Sequence, residues 1–107
     1  MNNFITKEQL IQLQASEGFL DYFNENFPDG GKIKDILEQI KKDKKNYSYW
    51  LFENFKLSGL CEGFYENGNI RYRWNYVDGK LNGLCEWFYN NGKIESRENY
   101  IHGELVD

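Results

Sequence analysis

The sequence predicts an α+β fold, with N-terminal helices packed on a C-terminal antiparallel β-meander of about four strands. Three observations carry this. Apolar residues recur at helical spacing up to residue 56, and from Leu57 onward they alternate with period two. The segment Leu57-Ser-Gly-Leu-Cys-Glu-Gly-Phe-Tyr-Glu-Asn-Gly returns 24 residues later as Leu81-Asn-Gly-Leu-Cys-Glu-Trp-Phe-Tyr-Asn-Asn-Gly. A period in the range of about 20 to 50 residues marks stacked supersecondary units, which commonly present binding surfaces. A chain of 107 residues has room for one hydrophobic core. The expectation is a single domain over 1–107, with a helical part at 1–56 and a β-repeat part at 57–107.

Thr6-Lys-Glu-Gln9 is a capping box, in which Thr at the cap and Gln three residues on satisfy each other's backbone N–H groups. It opens a short helix with Leu10 and Leu13 on one face. Ser16 caps a second helix carrying Phe19, Leu20 and Phe23 at helical spacing. Phe27-Pro-Asp-Gly-Gly31 must interrupt it, since proline and paired glycines disfavour a continuing helix. Ile33, Ile36, Leu37 and Ile40 then give the i, i+3, i+4, i+7 stripe of an amphipathic helix, and Tyr47, Trp50 and Leu51 repeat that spacing more briefly.

Four Xaa-Gly pairs punctuate the rest: Asn67-Gly68, Asp78-Gly79, Asn91-Gly92 and His102-Gly103. Such pairs favour two-residue hairpin loops because both positions tolerate positive φ, so strands are expected at about 60–66, 69–77, 80–90 and 93–101. Counting through Asn67-Gly68 sets Tyr65 against Ile70, Gly63 against Tyr72, Glu62 against Arg73 and Cys61 against Trp74. Counting through Asn91-Gly92 sets Tyr89 against Ile94, Trp87 against Ser96, Glu86 against Arg97 and Cys85 against Glu98. Opposite charges meet twice, and a large residue meets a small one twice, as cross-strand pairing favours. Counting through Asp78-Gly79 sets Tyr72 beside Cys85 and Trp74 beside Gly83.

One sheet face then carries Cys61, Tyr65, Ile70, Tyr72, Trp74, Tyr76, Cys85, Trp87, Tyr89 and Ile94, and the helices are expected to cover it. The outer face carries the Glu62–Arg73 and Glu86–Arg97 pairs, with Arg71, Asn75, Asn82, Asn99, Leu60, Phe64, Leu84 and Phe88.

Composition narrows the function. The net charge of −4 is mild, and the run Lys41, Lys42, Lys44, Lys45 is broken by Asp43 at a helix end, where cations complement the helix dipole. No nucleic-acid partner is expected, and no apolar run reaches the roughly 18 residues of a membrane span. A cytoplasmic location is the expectation. Cys61 and Cys85 fall on equivalent strands with a third between them, about 9–10 Å apart at roughly 4.8 Å per strand, too far for a disulfide. His102 occupies a turn position with no paired nucleophile, and Glu62 and Glu86 each face an arginine. No catalytic residue, metal site or cofactor is expected, and the chain reads as a non-enzyme.

The unit Gly-Xaa-Cys-Glu-Xaa-Phe-Tyr-Xaa-Asn-Gly, followed by an amphipathic strand and a Gly-containing turn, resembles the MORN repeat, in the bacterial variant known from MORN-repeat antitoxins. The resemblance covers residues 57–107 and implies an assembly or interaction module. Glu17-Gly18-Phe19, Asn26-Phe27-Pro28-Asp29-Gly30 and Tyr49-Trp50-Leu51 are similar to a short helical leader of small phage and mobile-element proteins. The implied function is that of a small inhibitor or antitoxin that neutralises another protein, such as a toxin or host-defence effector. A phage-encoded anti-CRISPR is one specific case, and a self-assembling structural module the alternative. Aromatics with arginines anchor protein interfaces, so Phe64, Arg71, Arg73, Leu84, Phe88 and Arg97 are the expected protein-binding residues of a monomer or weak dimer.

Overall fold

The computed structural model describes residues 3–106. The chain divides into two compact units, Met1–Lys42 and Asp43–Asp107. The division falls fourteen residues before the helix-to-strand boundary read from the sequence, and it places the last helix with the sheet.

In the first unit, strand β1 (Phe4–Ile5) leads into helix α1 (Lys7–Gln12), α2 (Glu17–Asn26), strand β2 (Gly31–Lys32) and α3 (Ile33–Lys42). Both predicted caps form. The Gln9 amide donates to Thr6 Oγ1 at 3.3 Å and the Thr6 amide to Gln9 Oε1 at 2.8 Å, closing the capping box. The Phe19 amide donates to Ser16 Oγ at 3.2 Å. Helix α2 stops before Pro28, and the turn that follows lets β2 pair with β1, Ile5 facing Gly31. Two residues per strand are too few to show a period, and this small sheet is not foreseen by the sequence. Ile5, Leu10, Phe19, Phe23, Ile36 and Ile40 are all buried, while Leu13 is exposed.

The second unit opens with α4 (Ser48–Asn54) and continues with β3 (Gly59–Phe64), β4 (Ile70–Val77), β5 (Lys80–Leu81), β6 (Gly83–Phe88), β7 (Ile94–Ile101) and β8 (Glu104–Val106). The sheet runs β3-β4-β6-β7-β8, with β5 also on β4. The meander is as expected, and β8 extends it. The face that α4 covers is the Trp74 face. Tyr49 meets Tyr72 and Trp74 edge-on at 6.3 and 6.5 Å, and Phe52 lies 5.2 Å from Tyr76.

Register within each repeat follows the sequence, with Glu62↔Arg73, Gly63↔Tyr72, Glu86↔Arg97 and Trp87↔Ser96 all present. Three details differ. Phe64 faces Ile70 and Phe88 faces Ile94, leaving Arg71 and Glu95 as the extra residues of matching β-bulges. Between the repeats Tyr72 faces Trp87 and Arg73 faces Glu86, two residues beyond the expected pairing. The chain breaks pairing at Asn82-Gly83, where Gly83 has φ +101°, before β6 rejoins β4. An even slip leaves every side chain on its face.

The third difference is in the turns. Asp78-Gly79 and His102-Gly103 are two-residue loops with positive φ at both positions, as a type I′ turn requires. At the Asn-Gly sites only Gly68 and Gly92 have positive φ. The Tyr65 amide donates to the Asn69 carbonyl and the Gly68 amide to that of Tyr65, both at 2.9 Å. This is a three-residue loop, a type I turn closed by a glycine bulge. The two turn kinds alternate along the repeat.

Contacts at the type I′ turns recur 24 residues apart. Gly79 N–H donates to Leu57 O at 2.9 Å and Gly103 N–H to Leu81 O at 2.8 Å. Asp78 N–H donates to Ser58 Oγ and His102 N–H to Asn82 Oδ1, both at 3.0 Å.

Candidate functional site

The outer sheet face is built from two rows of side chains set across the strands. The first is Glu62, Arg73, Glu86, Arg97. Arg73 Nε donates to Glu62 Oε2 at 3.2 Å and its Nη1 lies 3.8 Å from Glu86 Oε1, while Arg97 Nε donates to Glu86 Oε2 at 3.0 Å. The two predicted pairs are thus joined into one chain of charges. Glu86 is buried, and flanking guanidiniums on both sides offset its desolvation. The arginine heads remain largely in water, where such pairs contribute about 0–1 kcal/mol each.

The second row is apolar, separated by asparagines: Leu60 faces Asn75, Leu84 faces Asn99, and Asn99 faces Val106. Asn75 Nδ2 donates to the Leu84 carbonyl at 2.6 Å. Leu60, Leu84 and Val106 are 51%, 42% and 38% exposed. Because β3 and β6 are copies, Leu60 and Leu84 reach equivalent places on the sheet.

Of the six expected binding residues, Arg73, Leu84, Phe88 and Arg97 share this face, Phe64 follows Leu60 and Glu62 on it by strand alternation, and Arg71 does not join it. Arg71, the extra residue of the β4 bulge, is re-aimed, as bulges do to side chains. Its guanidinium lies 5.4 Å over the Tyr65 ring and it lines a cavity on the Trp74 face. Phe64, at the same irregularity, is half-buried and lines a second cavity of about 660 Å³ with the stretches 43–47 and 65–68. Phe88 stays on the outer face but is only 8% exposed, since Arg73 lies over its ring at 5.8 Å. The exposed apolar residues of this row are therefore Leu60, Leu84 and Val106; Val106 is not among the expected residues, although counting through the His102-Gly103 turn sets it against Asn99 as observed.

On the Trp74 face, Asn46, Tyr49, Arg71, Tyr72, Trp74 and Trp87 line a cavity of about 330 Å³. Tyr72 and Trp74 stack at 3.9 Å, and Trp87 lies 5.9 Å beyond Trp74. Asn46 Oδ1, the Tyr72 hydroxyl and Trp74 Nε1 are buried without a hydrogen bond of good geometry. Burial pushes the Tyr72 hydroxyl well above the ordinary tyrosine range, with the charges of Cys61 and Tyr49 adding to it and a backbone group of Tyr49 and the Arg71 guanidinium opposing.

Both cysteines are buried and free. Burial, with Glu53 and Glu62 adding to it and Tyr72 opposing, pushes the Cys61 thiol from 9.0 up to about 12. Cys85 is raised by burial as well, with an Asn75 backbone hydrogen bond opposing. Protonated thiols are poor nucleophiles. Among the described residues no three His, Cys, Asp or Glu side chains gather as a metal would need, and no helix is long and apolar enough to cross a membrane.

The raised thiol gives an expected pH response. Between 9.0 and about 12 the folded protein keeps a proton that the unfolded chain releases. Stability from this group is complete below the lower value and is lost as pH rises toward the upper, at no more than about 1.4 kcal/mol per pH unit. Urea unfolding from about pH 8 to about pH 11 checks it: the midpoint falls, and Cys61→Ala flattens the first part of the decline. A flat profile in the parent protein contradicts the assignment.

Residues 1–56 match the YdhT N-terminal domain, and residues 57–78 and 81–102 each match the MORN repeat variant. No curated protein and no solved structure matches the chain.

Proposed function

Since the chain belongs to the YdhT N-terminal domain family and continues into two MORN repeat variants, we propose that it is a non-enzymatic protein-binding module acting as a small inhibitor of another protein. MORN repeats are generally interaction modules, so a protein partner is the class of ligand this architecture serves. The observation that supports the outer face as the contact surface is its exposed row of Leu60, Leu84 and Val106 beside a row of fixed arginines. An apolar strip flanked by arginine is the composition of interface centres.

An antitoxin and a phage-encoded inhibitor of a CRISPR effector are two inhibitors of this kind. The exposed Glu66, Glu95 and Glu104 would suit an effector with a basic channel.

The test is capture from the native host by the immobilised protein, comparing the parent with a Leu60→Ser, Leu84→Ser double variant. Both side chains are about half exposed, so the expected stability change stays under about 1 kcal/mol. Partner affinity is expected to fall roughly 30- to 800-fold, because central apolar anchors contribute about 1–2 kcal/mol each and two are removed. Unchanged capture by a folded double variant sinks the outer-face reading. A self-assembling structural module is the second reading, favoured by the stretch Ile94–Glu98 of β7, which no strand covers on its outer side among the described residues; light scattering that shows a mass rising with concentration would select it.

A further inference from the structure

Among the described residues, contacts that pass from the first repeat to the second are not repeated from the second repeat onward. The Tyr65 hydroxyl donates to the Phe88 carbonyl at 2.6 Å, Asn67 Nδ2 donates to the Asn90 carbonyl at 3.0 Å, and Arg73 lies between Glu62 and Glu86. Their counterparts 24 residues on are Tyr89, Asn91 and Arg97. Tyr89 is 51% exposed. Arg97 has one carboxylate, Glu86, where Arg73 has two, and its side chain is 59% exposed. Strand β8 pairs only with Asn99, Tyr100 and Ile101. Among the described residues, no strand takes the same side of β7 from Ile94 to Glu98.

The register of the sheet says what would fit there. On β4 the corresponding place is filled by β6, which sets Glu86 against Arg73 and Trp87 against Tyr72. Carried forward one repeat, this puts a carboxylate against Arg97 and a large side chain against the small Ser96. We propose that the open stretch of β7 accepts an extended segment of the partner protein as an added antiparallel strand, chosen by a glutamate that reaches Arg97 and an aromatic that follows it. The proposal rests on the protein-binding reading above and names where the partner docks. Main-chain pairing supplies the affinity of an added strand, and side chains at alternate positions supply the choice. The charges and the Glu95 bulge on this edge discourage indiscriminate pairing. They do not forbid a matched strand, because β4 carries the same bulge at Arg71 and still pairs with β6.

A synthetic peptide with the sequence of residues 80–90, Lys-Leu-Asn-Gly-Leu-Cys-Glu-Trp-Phe-Tyr-Asn, serves as the probe on the full chain, read by amide chemical shifts and hydrogen exchange. Shifts and slowed exchange confined to Ile94–Glu98 are expected, with at least tenfold weaker binding by the same peptide carrying Lys in place of its Glu. Arg97→Gln in the protein should weaken the parent peptide equally, and if that variant fails to fold, the altered peptide on the parent protein still decides. Equal binding by both peptides, protection on Gly59–Phe64 instead, or no protection at all overturns the proposal. So does a sedimentation mass that rises with concentration in the protein alone, since a second copy would then fill the edge. If the peptide fails while capture still depends on Leu60 and Leu84, the edge is excluded and the protein-binding reading stands.

Discussion

Tyr72→Ala lowers stability by about 3–5 kcal/mol, the range for emptying a buried aromatic site. Tyr72 is 4% exposed. Its ring stacks on Trp74 at 3.9 Å, meets Tyr49 edge-on at 6.3 Å, and fills the space above Gly63. Deleting it bares one face of Trp74 and removes the main seat of α4 on the sheet. Against a net stability of about 5–15 kcal/mol for a domain, the loss leaves much of the unit unfolded on warming. Urea unfolding followed by tryptophan fluorescence measures it. Tyr72→Phe is the informative companion. The hydroxyl is buried without a well-formed hydrogen bond, and removing such a group costs under about 1 kcal/mol or stabilises. A Phe variant as damaged as the Ala variant would mean that the hydroxyl is bonded after all.

Gly79→Ala costs about 3 kcal/mol and Gly103→Ala about 1 kcal/mol, although both occupy the second position of the same turn type. Positive φ disfavours a Cβ by roughly 1–2 kcal/mol in either place. A Cβ on Gly103 meets only the flexible Lys80 side chain at 3.8 Å. A Cβ on Gly79 meets backbone: Lys56 Cα at 2.9 Å, Phe52 O at 3.2 Å and Glu53 O at 3.3 Å. The end of α4 would have to lift from the turn, and overpacking of that kind adds about 1–3 kcal/mol. Equal midpoints for the two variants would show that α4 does not bear on this turn.

Features set by near neighbours were legible in the sequence. The caps at Thr6 and Ser16, the stop before Pro28, the period of α3 and the pairs Glu62–Arg73 and Glu86–Arg97 all depend on residues a few positions apart or on one hairpin count. Features that depend on how separate hairpins meet were not. The two-residue slip between β4 and β6 arises at Asn82-Gly83, whose irregular backbone has no marker beyond a glycine. The sides survived because the slip is even. Arg71 left the expected site because the turns are three residues long, which puts an extra residue into each following strand. Phe88 proved covered because Arg73 folds over it, a choice made by a flexible side chain. The aromatic cavity joins residues 46 and 49 to 71, 72, 74 and 87, a meeting that only the packed unit brings about.

The hydrogen bonds that return after 24 residues, Gly79 to Leu57 and Gly103 to Leu81, make the repeat a unit of inheritance as well as of packing. A duplication or loss of any 24-residue window starting between Leu57 and Leu81 would join ends that already fit, because donor and acceptor are replaced by their own likenesses. Each such event would widen or narrow the sheet by two strands, roughly 10 Å, and leave the helix-bearing end untouched. The reach of this surface can therefore change in whole steps of one repeat.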